Sequence, residues 1–329
     1  MIYRINLRTH LRIHLRTQNL SNKTSTTMKA KLLLFFFCLS VLGGMGQGTI
    51  TRNKCKTCGK VISQCPHKGK HPKPTPKPKP ESKPKPKPAS KPRVTASNQN
   101  LTIRVGNVNF VMVKVSGGTF TMGATSEMGN PDDSEKPTHQ VTLSNYYIGE
   151  TEVTQALWKA VMGSNPSMFK GDDLPVESVY WENCQTFISR LNSLTGKRFR
   201  LPTEAEWEFA ARGGNQSRHT QYSGSSRIDD VAWYDGNSGY NTHPVKTKQP
   251  NELGIYDMTG NVWEWCQDWK GSYSSYAQTN PTGANSGSYR VFRGGSYFES
   301  PRICRSSDRR STAPHITYDS LGLRLVLSQ

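Results

Sequence analysis

Acidic side chains are almost missing from the first part of this 329-residue chain. Residues 1–50 hold seven Lys/Arg and no acid, and residues 51–93 hold fourteen Lys/Arg against the single acid Glu81. That stretch accounts for the formal net charge of +19, because residues 94–329 carry 22 basic and 23 acidic groups. The main part shows no basic stripe able to track a phosphate backbone, so no nucleic-acid partner is expected. An apolar run of membrane-spanning length is also missing from the leader. Leu32 to Leu42 gives eleven residues, broken only by Ser40, where a spanning helix needs roughly 20. There is no internal repeat.

The leader reads as a targeting segment. In residues 28–46, Lys29 and Lys31 precede the apolar run, and Gly44-Met45-Gly46 supplies small residues before Gln47. This is the order of a secretory signal peptide, and it predicts an exported protein, periplasmic or extracellular at the cell surface. Met28 is then the expected start, with residues 1–27 a mis-assigned upstream extension. The alternative is a transit peptide, since Arg4, Arg8, Arg12 and Arg16 fall at helical spacing. Cys38 lacks the small residues expected before a lipoprotein cysteine, so no lipidation is predicted.

Residues 52–71 form a small module with Cys55, Cys58, Cys65, His67 and His71. Cys55, Cys58, Cys65 and His67 suit a tetrahedral zinc of the zinc-knuckle type, although a second CxxC is missing. The alternatives are one disulfide with a free thiol, or disorder. A closed zinc site would be structural or adhesive. Residues 72–93 alternate proline with lysine, favour polyproline II and cannot pack a core. At about 3.1 Å per residue, the tract to residue 92 spans roughly 65 Å as a stiff spacer. Its charge also suits a salt-sensitive contact with anionic surface polymers.

Residues 100–329 are long enough for a substantial core. Short strands with turns at Gly106-Asn107 and Gly117-Gly118 open the domain. Thr151 is the expected cap of a first helix through EVTQALWKAVM, stopped by Gly163. Cys184, Phe187, Ile188, Leu191 and Leu194 recur at helical spacing before Gly196. Thr203 and Glu206 make a capping box, with Gly213-Gly214 closing that helix. The pattern predicts an α+β fold low in regular structure. Trp207, Trp263, Trp265 and Trp269 are expected as core or pocket walls. Glu264, between two tryptophans, needs a cation or donors if buried.

The stretches GGTFTMG (117–123), LPTEAEWEFAARGG (201–214), GNVWEWCQDW (260–269) and RGGS (293–296), with GLRLV near the end, occur in one order. In that order the chain strongly resembles the formylglycine-generating enzyme family, also called the sulfatase-modifying factor family, over about residues 108–327. The resemblance implies a variant of the C-type-lectin-like α+β fold, with calcium. Carried over by motif, Asp257 and Glu264 would give calcium carboxylate oxygens, and Gly260 and Val262 backbone carbonyls, a set suited to a hard cation. The other reading of Glu264 is that an arginine or backbone amides hold it.

Active members of the family use copper(I), oxygen and two cysteines five residues apart to oxidise a sulfatase cysteine to formylglycine. Here the second position is Cys304 and the first is Glu299, a hard ligand where copper(I) prefers thiolate. Ser296, which lines the site in the family, is kept. Arg302, Arg305, Arg309 and Arg310 stand near Cys304 and are expected to lower its pKa. Alternatively Cys304 pairs with Cys184 or Cys266. The resemblance and this departure predict an exported, divergent member that binds a peptide or glycan, with Ser296, Glu299 and Trp263 forming the pocket and a sulfatase-like protein among the partners. The alternative is an active copper-dependent oxidase using Cys304 and Ser296. A histidine-triad iron oxidation lacks the added helical domain it requires.

Overall fold

The computed structural model describes residues 100–329. The expected signal peptide at 28–46, the expected zinc module with Cys55, Cys58, Cys65 and His67, and the Pro/Lys tract lie outside these residues. The domain is α+β. Its elements in order are β1 (Leu101–Val105), β2 (Val108–Val115), β3 (Gly118–Met122), β4 (His139–Leu143), β5 (Tyr146–Gly149), α1 (Gln155–Met162), α2 (Trp181–Thr195), β6 (Phe199–Arg200), α3 (Glu204–Ala211), β7 (Trp263–Trp269), β8 (Gln278–Thr279), β9 (Arg290–Arg293), β10 (Arg309–Thr312), β11 (Leu321–Leu323) and β12 (Val326–Ser328). Short helical turns lie between some of them.

They make three sheets, ordered β1-β2-β5-β12-β6, β10-β9-β7-β11 and β3-β4-β8. The predicted turn at Gly106-Asn107 joins β1 to β2, whose register closes on Val105 opposite Val108. Helix α3 is capped as expected: Thr203 Oγ1 accepts from the Glu206 amide and the Glu206 carboxylate accepts from the Thr203 amide. Helix α2 ends on Gly196 at φ +65°, the left-handed geometry that glycine adopts without strain.

Two expectations shift. Helix α1 is capped by Thr154 rather than Thr151, because the extended chain before it is held in place, Val153 donating to the Leu323 carbonyl. Leu194 is 62% exposed although its spacing matches the apolar face of α2. Two apolar clusters fill the interior. One gathers α1 and α2 with Trp263 and Trp265; the other gathers Tyr146, Trp207 and Phe209. Among the described residues, no helix is long and apolar enough to cross a membrane.

Candidate functional site

The loop between β9 and β10 holds Ser296, Glu299 and Cys304. Gly294 and Gly295 take φ +104° and +77°. A Cβ on Gly295 would lie 2.5 Å from the Cys304 Sγ, and one on Gly294 would press Trp207 at 3.2 Å. The glycine pair is thus what allows the loop to close over Cys304. The Tyr297 amide donates to the Asn261 carbonyl at 2.7 Å, and the Glu299 amide to the Ser296 carbonyl at 3.0 Å.

Closure leaves Cys304 with no exposed surface. Its Sγ meets only the carbonyl oxygens of Ser296 (4.0 Å) and Glu299 (3.9 Å). Burial pushes the thiol well above its ordinary pKa, and the Glu299 carboxyl adds to that. The arginines expected to lower it are committed or directed elsewhere. Arg305 pairs through two nitrogens with buried Glu135, Arg309 with Glu204, and Arg310 with Asp308, while Arg302 is exposed. Cys184, Cys266 and Cys304 are all free and buried, so neither disulfide pairing is formed. Cys184 and Cys266 belong to the two different apolar clusters. One buried thiol beside a carboxylate does not match the two-thiolate donor set that copper(I) favours.

Ser296 is fully buried, so it does not line a solvent-facing pocket. Glu299 is half-buried. Its Oε1 accepts only from the Trp263 indole, at 3.4 Å. Burial raises its pKa, with Asp308 and Asp235 adding their charge against the opposing Trp263 bond and Arg310. Outside it lies an aromatic surface that sequence patterning could not show. Phe298 is 62% and Tyr240 60% exposed, with ring centroids 5.7 Å apart. Tyr297 sets its edge on Phe169 at 5.4 Å, and exposed Met168 is the next residue. Asp235, which donates its amide to the Glu299 carbonyl, and Asp319, beside the Tyr297 hydroxyl, add acid to this face.

The residues carried over for calcium lie on one buried segment. Asp257 and Glu264 are buried, and residues 257–264 run into β7. The Glu264 carboxylate accepts from Arg324 Nε and Nη2 at 2.6–3.0 Å and from the Trp207 indole at 2.7 Å. An arginine is therefore its partner. Asp257 accepts from the Lys246 amide at 2.8 Å, and its carboxyl is pushed up to about 6, chiefly by burial. Glu152 was not singled out from sequence. It is fully buried, accepts from the Val262 amide and the Asn261 side chain, and is raised well above the carboxylate range by burial, Asp257 and Glu264. Among the described residues, no three His, Cys, Asp or Glu side chains are disposed as a metal-ligand cluster.

A family model described as the sulfatase-modifying factor enzyme 1-like domain matches residues 104–329. The chain belongs to this family. It is 36% identical over 268 residues to the chaperone protein LppX of Paenibacillus barcinonensis, covering 66% of this chain and 89% of that protein. It is 30% identical over 281 residues to the formylglycine-generating enzyme of Streptomyces coelicolor, covering 64% and 87%. Among solved structures, the Treponema denticola variable protein 1 aligns with a TM-score of 0.64 and 34% identity, over 70% of this chain and 99% of that one. These likenesses agree with the expected family and fold.

Proposed function

We propose that this sulfatase-modifying-factor-like domain is a divergent, exported binding module for a peptide or glycan, acting through the face around Phe298, Tyr240 and Glu299. The observation that carries the reading is the sealed Cys304: fully buried, with no second thiol paired to it, and with its pKa pushed up by burial and by the Glu299 carboxyl. A group in that state is a poor soft-metal ligand and a poor nucleophile. Exposed aromatics beside acids without a salt-bridge partner form a surface that recognises stacking groups and cations. That favours a peptide carrying lysine or arginine over an acidic one. The leader at 28–46 supports export.

Calcium belongs to the same proposal, at Asp257 with the carbonyls of Gly260 and Val262. Three buried carboxyl groups, Glu152, Asp257 and Glu264, stand near a single buried guanidinium, that of Arg324, and a divalent ion there would favour the ionised forms that burial opposes in Glu152 and Asp257. Glu264 has little to offer it, because Arg324 and Trp207 already take both oxygens. Added calcium should raise the melting temperature of the wild type and not of Asp257→Asn.

The test uses the full chain with fluorescent peptides of Lys/Arg-rich and Asp/Glu-rich composition. The basic peptides should bind, and Phe298→Ala with Tyr240→Ala should weaken binding by at least about tenfold. Binding should be indifferent to copper and to Cys304→Ser. A cysteine peptide incubated with copper(I) and oxygen should yield no aldehyde by mass spectrometry. Aldehyde that vanishes in Cys304→Ser would establish the copper oxidase instead.

A further inference from the structure

A recess lies between the start of α3, the end of β7 and the segment from Gly271 to Ala284. Its volume is about 160 Å³. That is close to the roughly 150 Å³ of an engineered cavity that takes one benzene, so it suits an occupant of about six non-hydrogen atoms. Buried Met122, His139, Glu204, Asp268 and Arg309 form its inner wall. Met122 and His139 sit opposite each other in the β3–β4 register, and both are buried on its core side. Ser272 and Gln278, both exposed, stand at the mouth.

The charged groups of this wall are matched, with one exception. Glu204 accepts from Arg309 Nε and Nη2 and from Arg293 Nη1, and the Tyr273 hydroxyl adds a further bond. The remaining Arg309 nitrogen goes to the carbonyls of Ser134 and Gly271. Lys270 Nζ turns to the Arg309 carbonyl. Asp268 is the exception. It is only 3% exposed. Its Oδ2 accepts from the Glu204 amide at 2.9 Å, and among the described residues no donor reaches Oδ1. A Cβ on Gly283 would lie 3.0 Å from Oδ1, so the glycine keeps the space before that oxygen open. Burial and then Glu204 push this carboxyl up to about 8, which Arg309 does not offset.

These partners select the charge of an occupant. An anion meets a guanidinium whose every nitrogen is already engaged. An ammonium meets an unpartnered carboxyl oxygen, where a charge-assisted bond forms. His139 adds an acceptor to the same wall. Its Nδ1 faces the Pro137 carbonyl at 3.3 Å and so carries the proton, which leaves a lone pair on Nε2. A metal ion finds no set of three donors among the described residues. An apolar stem would rest on Met122 and Ala205, which also line the recess.

We infer that this recess binds a primary ammonium group on a short alkyl chain, with Asp268 Oδ1 accepting its N–H, separate from the Glu299 face and independent of the function proposed there. The group comes from a free amine or from a lysine side chain. The full chain would be titrated with n-butylammonium, cadaverine and Nα-acetyl-lysine amide to about 10 mM, the range of weak specific binding. Tetramethylammonium, which has no N–H, and butyrate are the comparisons. At least one of the three amines should bind, at least about tenfold tighter than either comparison. Binding of the lysine derivative assigns the site to a peptide side chain; binding of the other two alone assigns it to a free amine. Asp268→Asn keeps an oxygen for the Glu204 amide but removes the charge, and should weaken binding at least about tenfold. Ser272→Trp, at the exposed mouth, should weaken it with an unchanged melting temperature, and Phe298→Ala should leave it unaltered. Failure of all three amines overturns the inference. So does equal binding of tetramethylammonium or butyrate, affinity that survives either variant in its folded form, or loss of binding in Phe298→Ala.

Discussion

Glu264 and Glu299 both accept a hydrogen bond from a tryptophan indole, at 2.7 Å from Trp207 and 3.4 Å from Trp263. Their settings are otherwise opposite. Glu264 is fully enclosed and clasped by Arg324. Glu299 is half-exposed, has no salt-bridge partner, and stands at the edge of an aromatic surface. An enclosed carboxylate must be matched within the protein, because the cost of a lone buried charge exceeds what folding can spare. A carboxylate at the rim can stay unmatched, since water or a ligand can solvate it. The first arrangement supports the fold; the second leaves chemistry available for recognition.

The largest test of this contrast is Arg324→Leu. It strips the counter-charge from Glu264 and leaves Glu152 and Asp257 beside it, and should cost about 3–5 kcal/mol or prevent folding. The double change Arg324→Leu with Glu264→Leu should recover part of that loss in a denaturant cycle.

Asp268 probes the middle ground. It is buried, receives the Glu204 amide at 2.9 Å, and is raised to about 8 by burial and then by Glu204. Between about pH 4 and 8 the folded state holds a proton that the unfolded state has released. Stability should therefore fall as pH rises through that window, and Asp268→Asn should flatten the slope. Glu204 works the other way. Burial opposes its charge, but Arg309 and Arg293 outweigh that and hold it near 2. Its contribution should be present above about pH 4.5 and disappear toward pH 2.

Smaller effects are expected in the β9–β10 loop. Cys304→Ser should cost about 1–2 kcal/mol by denaturant melt, since a buried hydroxyl replaces a thiol near two carbonyls. The native thiol should resist alkylation until the chain unfolds. Glu299→Gln should be the mildest, within about 0.5 kcal/mol. Its sign should be stabilising at neutral pH, because the raised carboxyl resists ionisation in the folded state. Peptide binding should suffer more than stability does.

Local signals were legible where neighbours in sequence are neighbours in space. Thr203 with Glu206, Gly196 after α2, and the Gly106-Asn107 turn act within a few residues. The expected lowering of the Cys304 pKa failed because proximity in sequence is not proximity of charge. Arg305 is adjacent to Cys304, yet its guanidinium reaches Glu135, 170 positions away. Phe298 and Tyr240 were equally hidden, since an exposed aromatic has no periodicity to betray it. Glu152 lacked any motif of its own.

The order of GGTFTMG, LPTEAEWEFAARGG, GNVWEWCQDW and RGGS was enough to give the family and the α+β fold, because each motif encodes a cap, a close glycine contact or a buried aromatic that the chain needs locally. The substitution at Glu299 was also visible there. Tertiary structure alone decided which acid meets an arginine, which stays open to solvent, and that Cys304 is sealed. Those outcomes depend on loop closure and on partners tens to hundreds of residues apart, and electrostatics is settled by distance and burial rather than by spacing along the chain.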